Sequence, residues 1–310
     1  MAFVAIIMGV LLALAAIVML GVSVYVGHKL TRPPRKPVDM QPKDYGLERF
    51  ENVLFKSRDN ETLLSGWYFS AEENGYKGNG MSLVMAHGYS QNRQEPHLPA
   101  LALASQLVAA GFHVLMFDFR NAGKSGGDIT TVGYHEKRDL LGAVDFAAGR
   151  SADGPIGLIG FSMGAATSLL AAAEDERIRA IVADSPFYSL REYLMENMPR
   201  WTNLPHIPFT WLILRIIPLM LKVDINRINP WQAIDGIMPR PILFIHGTDD
   251  ETIPHENSQR LLAKADAACA QLWLVPEAGH VRSFATGPEQ YGKRIISFFL
   301  EQTTKTPANA

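Results

Sequence analysis

The stretch from Ile156 to Gly164 constrains the fold of this chain more than any other. It is an apolar run that ends in Gly160-Phe161-Ser162-Met163-Gly164 and continues into an alanine-rich segment. A buried strand, a sharp turn and a helix in that order would leave a serine hydroxyl exposed at the end of a sheet. The two glycines suit such a turn, because side chains at their positions would clash with the neighbouring strand and helix. The pattern alone is weak, since a plain turn serine matches it too, so a base, an acid and an oxyanion hole must be found elsewhere in the chain.

Size and composition narrow the class of protein. The 310 residues could form one large α/β domain or two small ones, with 47% hydrophobic and 19% charged residues. A formal charge of −2 gives no electrostatic footprint for nucleic acid. The single cysteine, Cys269, cannot form an internal disulfide bond, which fits a reducing compartment. The nine histidines show no zinc-site spacing, so we expect no metal and no cofactor.

The N-terminal segment is typical of a membrane span. Ala2 to Gly27 contains no charged residue. At about 1.5 Å per residue, a helix of this length exceeds the roughly 30 Å hydrocarbon core of a bilayer. A cleaved signal peptide is the alternative, but the apolar run is long for one and no convincing cleavage site follows it. We therefore predict a retained single-pass transmembrane anchor over residues 1–28.

Charged residues after this span predict its orientation. The residues that follow it include His28, Lys29, Arg32, Arg35 and Lys36, whereas no Lys or Arg precedes it. The positive-inside rule then places the bulk of the chain in the cytoplasm. Four prolines between positions 31 and 42 predict an extended, proline-rich tether over residues 29–47. The last residues, 304–310, are predicted to be a disordered tail.

The rest of the chain, residues 48–303, alternates short apolar runs with segments of helical spacing. This alternation predicts a mainly parallel, eight-stranded sheet with helices on both faces and an antiparallel hairpin at one edge. The alternation breaks over residues 187–238, which are rich in Trp, Leu, Ile, Met and Pro. We expect this insertion to be a helical lid over the site, with a helix packed into the core as the alternative.

A base and an acid that could act with Ser162 should follow predicted strands, because ligands of a parallel sheet bind at the carboxyl ends of its strands. His280 follows the last predicted strand, and Asp249 and Asp250 follow the strand before it. The resulting order of serine, acid and histidine is the order that a nucleophile elbow requires. Spacing alone leaves the choice between the two aspartates open.

Five motifs in this order resemble those of the α/β-hydrolase superfamily, and within it the serine-aminopeptidase-like group of bacterial hydrolases, several of which are membrane-anchored. The motifs are His87-Gly88, the run Asp118 to Ser125, Gly160-x-Ser162-x-Gly164, the run His246 to Pro254, and Gly279-His280. The resemblance covers about residues 50–300. The loop after Asp118 departs from the family pattern, since Asn121 stands where relatives usually have glycine. We expect this difference to change the local shape of the loop and not the catalytic residues.

The resemblance implies roles for particular residues. Ser162 would be the nucleophile, His280 the base and Asp250 the acid, with the backbone N–H groups of Tyr89 and Met163 forming the oxyanion hole. Candidate pocket residues are His87, for which a structural role in its loop is the alternative, and the tryptophans of the insertion, Trp201 and Trp211.

Hydrolysis of a small-molecule carboxylic ester with an apolar acyl or aryl portion is the function we expect first. Acyl-peptide or aminopeptidase activity and thioesterase activity are alternatives on the same residues. A non-catalytic membrane adaptor that retains the fold is the alternative of another class. The sequence does not indicate an oligomeric state.

Overall fold

A computed structural model describes residues 1–96, 98–150 and 154–303 of the chain. The predicted tail, 304–310, lies outside these residues. Eight strands form one sheet in the order β1-β2-β4-β3-β5-β6-β7-β8. The strands are β1 (Glu51–Lys56), β2 (Leu63–Phe69), β3 (Ser82–Ala86), β4 (His113–Phe117), β5 (Ile156–Phe161), β6 (Ile178–Asp184), β7 (Ile242–Gly247) and β8 (Ala270–Val275). The pair β1–β2 is antiparallel at one edge, β2 runs antiparallel to β4, and the others pair in parallel. The predicted sheet is confirmed.

Helices cover both faces of this sheet. The helices are α1 (Ala2–Thr31), α2 (Ala100–Ala109), α3 (Glu136–Arg150), α4 (Met163–Ala172), α5 (Leu190–Thr202), α6 (Trp211–Leu221), α7 (Pro230–Ile237), α8 (Glu256–Leu262), α9 (Ser283–Thr286) and α10 (Pro288–Thr303). One hydrophobic core joins α2 and α10 to the sheet, and a second joins α3, α4, α7 and α8 to its other face. Alternate strand residues enter alternate cores, as Leu83 and Val84 do, because successive side chains of a strand point to opposite faces.

The insertion predicted as a lid divides into two parts. Its first part contains α5, a π-helical turn (His206–Thr210) and α6, and α5 and the segment His206–Leu221 are bent by 118° to one another. Its last part, α7, buries Ile234 and Ile237 in the core beside α4. We call the part of the insertion before α7, residues 187–227, the cap. The insertion was predicted to extend to residue 238, and its last helix, α7, is packed in the core, as the alternative had it.

The helix α1 is long and apolar enough to cross a membrane, with a mean hydropathy of 3.0, and a signal sequence would have the same properties. Its first part is exposed, whereas Ser23 and Gly27 near its end are buried. Val26 and Leu30 pack against the cap, on a cluster that contains Ile213. The end of α1 is thus packed against the domain that contains the sheet.

The predicted tether is not a free linker. The helix continues to Thr31, and the extended chain after it lies on the domain. Arg35 donates hydrogen bonds to the carbonyl oxygens of Ser125 and Gly127, and Asn92 Nδ2 donates to the carbonyl oxygen of Pro37 at 2.8 Å. Proline favours extended backbone but does not reveal whether a neighbouring surface will bind it, which is why the sequence indicated a tether.

Candidate active site

Ser162 stands on a strained turn between β5 and α4. Its backbone has φ of 52° and ψ of −113°, a conformation that residues other than glycine rarely adopt. The flanking glycines make the turn possible. A Cβ atom at Gly160 would lie 2.3 Å from the carbonyl oxygen of Gly164, and one at Gly164 would lie 2.0 Å from that of Ala86. Both distances are far below contact, so the turn that exposes Ser162 depends on glycine at both positions.

A continuous chain of hydrogen bonds joins Ser162 to the ends of two other strands. Ser162 Oγ lies 2.9 Å from His280 Nε2, and His280 Nδ1 lies 2.7 Å from Asp250 Oδ2. The residues follow β5, β8 and β7, whose carboxyl ends meet at one edge of the sheet. With its proton on Nδ1, the imidazole donates to the carboxylate and accepts from the serine hydroxyl, which is the arrangement that activates a serine nucleophile.

The structure brings Asp250 to His280 and leaves Asp249 at the surface. Asp249 is exposed and accepts a hydrogen bond from its neighbour Thr248 at 3.0 Å. Asp250 is buried, and its Oδ1 accepts from the amides of Thr252 at 2.9 Å and Ile253 at 2.8 Å. These two amides fix the carboxylate so that its other oxygen faces the imidazole.

The surroundings of Asp250 keep its carboxylate ionised. Burial alone would raise its pKa, but hydrogen bonds from the rings of His246 and His280 and from the amide of Ile253 outweigh burial and hold the pKa well below its usual value. His246 is fully buried beneath this loop, with Nε2 2.8 Å from the carbonyl oxygen of Ile253 and Nδ1 2.7 Å from Ser258 Oγ. His246 therefore braces the loop that carries Asp250.

The two residues whose amides are expected to form an oxyanion hole both belong to segments next to Ser162. Met163 is the first residue of α4, so its N–H has no partner within the helix. Tyr89 follows β3, next to Gly88, where an added Cβ atom would lie 3.6 Å from that of Ser162. The loop after β3 therefore passes directly beside the serine.

Glu95 is a residue of this site that the sequence analysis missed. Its carboxylate is buried and lines the cavity at Ser162, and its Oε2 accepts a hydrogen bond from the amide of Gly88 at 2.7 Å. Arg93 holds this segment in place, since its amide and guanidinium both bind the buried Asp118. Burial raises the pKa of Glu95 to about 7, against the Gly88 hydrogen bond and the charge of Lys36. No sequence motif marks the position, because the contact depends on how the loop after β3 folds back.

A cavity of about 400 Å³ opens beside Ser162, within the range of small-molecule sites. Its far wall is apolar and comes from the cap, with Phe187, Leu190, Tyr193, Leu194 and Trp201. Leu30 of α1 also contributes to the wall, which the sequence analysis did not foresee.

Two of the three predicted pocket residues lie elsewhere. His87 is buried beside the cavity, where Nδ1 lies 2.8 Å from the carbonyl oxygen of Gly88 and Nε2 accepts from the amide of Phe119 at 3.0 Å. It serves its loop, which was the alternative. Trp211 is on the outer surface of α6 and about half exposed. Periodicity alone cannot tell which of two tryptophans in an insertion faces inward; of these two, Trp201 lines the cavity.

The described residues (1–96, 98–150 and 154–303) hold no group of three or more His, Cys, Asp or Glu side chains that could bind a metal ion. In this part of the chain the polar groups at the cavity are Ser162, His280, Tyr89, Glu95 and a few neighbours. A serine hydroxyl, an imidazole and a carboxylate in this arrangement are the groups that acyl transfer by a serine nucleophile requires.

The chain is similar in sequence and fold to several known proteins. A family model described as X-Pro dipeptidyl-peptidase (S15 family) matches residues 78–207. The chain is 30% identical over 232 residues to the uncharacterized protein YqkD of Bacillus subtilis, and the aligned region covers 73% of each protein. Among solved structures, the Pyrococcus furiosus esterase Pf2001 superposes with a TM-score of 0.72 at 29% identity, covering 89% of this chain and 99% of the esterase.

A further likeness is one of fold alone. The α/β hydrolase GrgF from Penicillium sp. sh18 superposes with a TM-score of 0.64 at 19% identity, covering 83% of this chain and all of GrgF. The sheet order, the strained serine turn and these matches lead to one conclusion. The chain is a hydrolase of the α/β-hydrolase superfamily, in the same family as YqkD.

Proposed function

We propose that this protein is a membrane-anchored serine hydrolase that cleaves carboxylic esters with an apolar acyl or aryl portion. One observation carries the proposal. Hydrogen bonds link Ser162 through His280 to Asp250, and Ser162 lies in the wall of a mainly apolar cavity of about 400 Å³. A serine hydroxyl with such partners can attack a carbonyl carbon, and the apolar walls favour substrates with a hydrophobic portion.

The reaction proceeds in two halves. Ser162 Oγ attacks the ester carbonyl while His280 Nε2 takes its proton, and the amides of Met163 and Tyr89 donate to the oxyanion of the tetrahedral intermediate. The intermediate collapses, and the alcohol leaves with the proton from His280. Water then gives a proton to His280 and attacks the acyl-enzyme, which releases the carboxylic acid and restores the serine. Asp250 holds the imidazole in the required tautomer throughout.

Cleavage of peptides or acyl-peptides is the second candidate, and the match to the S15 peptidase family model over residues 78–207 favours it. Esters rank first because the wall facing Ser162 is formed mainly by apolar side chains of the cap, and because the similar Pyrococcus furiosus structure is an esterase. Thioesters would be cleaved by the same steps.

The helix α1 is the proposed anchor. It is apolar over its whole length except near its end, where His28 and Lys29 follow. Because the basic residues lie on the side of the catalytic domain, we place that domain in the cytoplasm. Two features support an anchor over a cleaved leader: the end of α1 is packed against the cap, and Leu30 forms part of the cavity wall.

The experiment that tests this function compares two panels of substrates on the purified full-length protein in detergent. One panel contains p-nitrophenyl esters of increasing acyl length, and the other contains aminoacyl and dipeptidyl anilides, with Ser162→Ala as the blank. We expect a kcat/KM at least tenfold higher for the best ester than for the best anilide. A preference for anilides would assign the protein to the peptidases, and equal rates for protein and blank would exclude both activities.

A further inference from the structure

The outer face of α6 exposes more large apolar groups than a surface helix in water normally would. The side chains of Leu219, Met220 and Trp211 are 79%, 54% and 53% exposed, and that of Ile207 in the preceding turn is 79% exposed. Contiguous apolar patches on soluble proteins mark interaction sites. Single exposed residues would need no explanation, but these four lie on one helix and the turn that leads into it.

The opposite side of α6 packs against the end of α1. A Cβ atom added at Gly27 would lie 1.9 Å from the Cδ1 atom of Ile217, so the two helices touch at this glycine. Val26, directly before Gly27, and Leu30, about one turn after it, pack on the cluster that contains Ile213. The helix α6 is therefore fixed at a known height along α1.

If α1 is the anchor proposed above, the part of α1 that contacts α6 lies at the surface of the bilayer. The contact residues of α1 lie within one turn of His28 and Lys29, where the apolar run ends and its polar flank begins. In a membrane-spanning helix this change marks the passage from the hydrocarbon to the headgroup layer. The outer face of α6 also carries Arg215, whose guanidinium lies 4.8 Å from the ring of Trp211. Arginine and tryptophan beside leucine and methionine form the pattern of a helix that lies in the membrane interface.

We propose that the outer face of α6 lies in the headgroup layer of the leaflet on the domain's side of the membrane, and that the cavity takes a membrane-resident acyl ester from that leaflet. The inference rests on the proposed function and names its substrate class. Leu30 of the anchor and Leu194 and Trp201 of the cap all line the cavity. The substrate's acyl chain can therefore pass from lipid to an apolar wall built partly by the anchor itself.

Fluorescence quenching tests the contact without any need for activity. In full-length protein carrying Cys269→Ser, single cysteines at Leu219, Leu14 and Tyr76 are labelled with an environment-sensitive dye. The protein is then reconstituted into phosphatidylcholine vesicles that contain brominated lipid. Leu14 is exposed in the middle of α1, and Tyr76 follows β2 near the opposite edge of the sheet from Ser162.

We expect brominated lipid to quench the dye at positions 14 and 219 and to leave the dye at position 76 unquenched. Quenching at 14 without quenching at 219 would overturn the contact of α6 while leaving the anchor in place. No quenching at 14 would overturn the anchor, and the inference with it. A dye at 219 that is shielded only at high protein concentration would identify a second copy of the chain as the partner and overturn the lipid proposal.

Activity tests the route of the substrate. The double variant Leu219→Glu with Met220→Glu is compared with Tyr76→Glu in vesicles, on 4-methylumbelliferyl oleate in the bilayer and on water-soluble 4-methylumbelliferyl acetate. We expect the double variant to lose at least tenfold in kcat/KM on the oleate and less than twofold on the acetate, with no change for Tyr76→Glu.

Unchanged hydrolysis of the oleate would overturn the lipid route. Equal loss on both substrates, with an unchanged melting temperature, would also overturn it, because the face would then act on the site itself. If the wild-type protein cleaves neither ester, the proposed function fails, and the quenching result still decides whether α6 meets the membrane.

Discussion

The hydroxyl group of Tyr89 donates a hydrogen bond to the backbone carbonyl oxygen of Leu30, at 2.6 Å. This bond joins the last turn of α1 to the loop after β3, which passes beside Ser162. Burial raises the pKa of Tyr89 to about 12, so the hydroxyl keeps its proton and remains a donor at any physiological pH. The anchor helix and the proposed oxyanion hole are therefore coupled by one neutral hydrogen bond.

Removal of that bond is expected to slow catalysis. Tyr89→Phe keeps the ring and the backbone amide but leaves the carbonyl oxygen of Leu30 without this donor, at a cost of about 1 kcal/mol in the free energy of unfolding. Because a displaced oxyanion donor loses part of a contribution of about 3 kcal/mol, we expect kcat to fall roughly tenfold with little change in KM. Steady-state kinetics on a short p-nitrophenyl ester measure this. An unchanged kcat would mean that the loop after β3 holds its position without the anchor.

The acid of the triad can be tested with a matched pair of neighbours. Asp250→Asn removes the carboxylate that fixes the tautomer of His280, and we expect kcat to fall by about 10⁴. Asp249→Asn makes the same chemical change one residue earlier, at an exposed side chain, and is expected to leave kcat within twofold. Comparable losses in the two variants would contradict the assignment of Asp250.

The pH dependence of stability reports on Glu95. Its pKa is raised to about 7 from 4.5, so between these values the folded state holds a proton that the unfolded state has released. Its contribution to the free energy of unfolding is therefore highest below about pH 4.5 and falls as pH rises toward 7, by at most about 1.4 kcal/mol per pH unit.

Glutamine at position 95 (Glu95→Gln) is neutral at every pH and can still accept a hydrogen bond from the amide of Gly88. The variant should therefore lose the part of the pH dependence of the free energy of unfolding that Glu95 causes. We expect the variant to gain melting temperature over the wild-type protein as pH rises from 5 to 7, in thermal unfolding in one detergent. Other buried acids, such as Asp184, whose pKa burial raises to about 6, affect both proteins alike. A difference in melting temperature that is constant from pH 5 to 8 would contradict the burial of a titrating carboxyl group.

The two tryptophans of the cap should differ in their effect on the hydrolysis of soluble esters. Trp201 lines the cavity and packs edge-to-face on Tyr193, with ring centroids 5.1 Å apart. Trp201→Ala removes apolar wall, and we expect KM for an octanoyl ester to rise about tenfold while the acetyl ester changes less than threefold. Trp211→Ala, on the outer surface, should leave both soluble esters unchanged. The same chain-length profile in both variants would contradict the placement of Trp201 in the wall.

The sequence allowed the sheet and its reactive edge to be predicted, because each of Ser162, Asp250 and His280 follows an apolar strand. In the structure, strand order brings His280 within hydrogen-bond distance of both Ser162 and Asp250. Residues that reach the site by other routes left no such signal. Leu30 arrives there through packing of α1 on the cap, and Glu95 through folding of a loop.

The extent of the lid and the docking of the tether could not be predicted for the same reason. Both depend on which surface an apolar or extended segment meets, and composition does not specify the partner. The helix α7 contains tryptophan and isoleucine, as α6 does, yet it packs on α4 in the core.

Reaction with a fluorophosphonate probe tests directly whether Ser162 is an activated nucleophile, because the probe forms a covalent bond with an activated serine hydroxyl. The folded full-length protein is treated with the probe in detergent, digested and mapped by mass spectrometry. We expect one modified site, Ser162, with no labelling of Ser162→Ala or of protein unfolded before treatment, and with strongly slowed labelling of His280→Gln. A folded protein in which Ser162 remains unlabelled, or in which the label is found on another residue and persists in Ser162→Ala, would contradict the account.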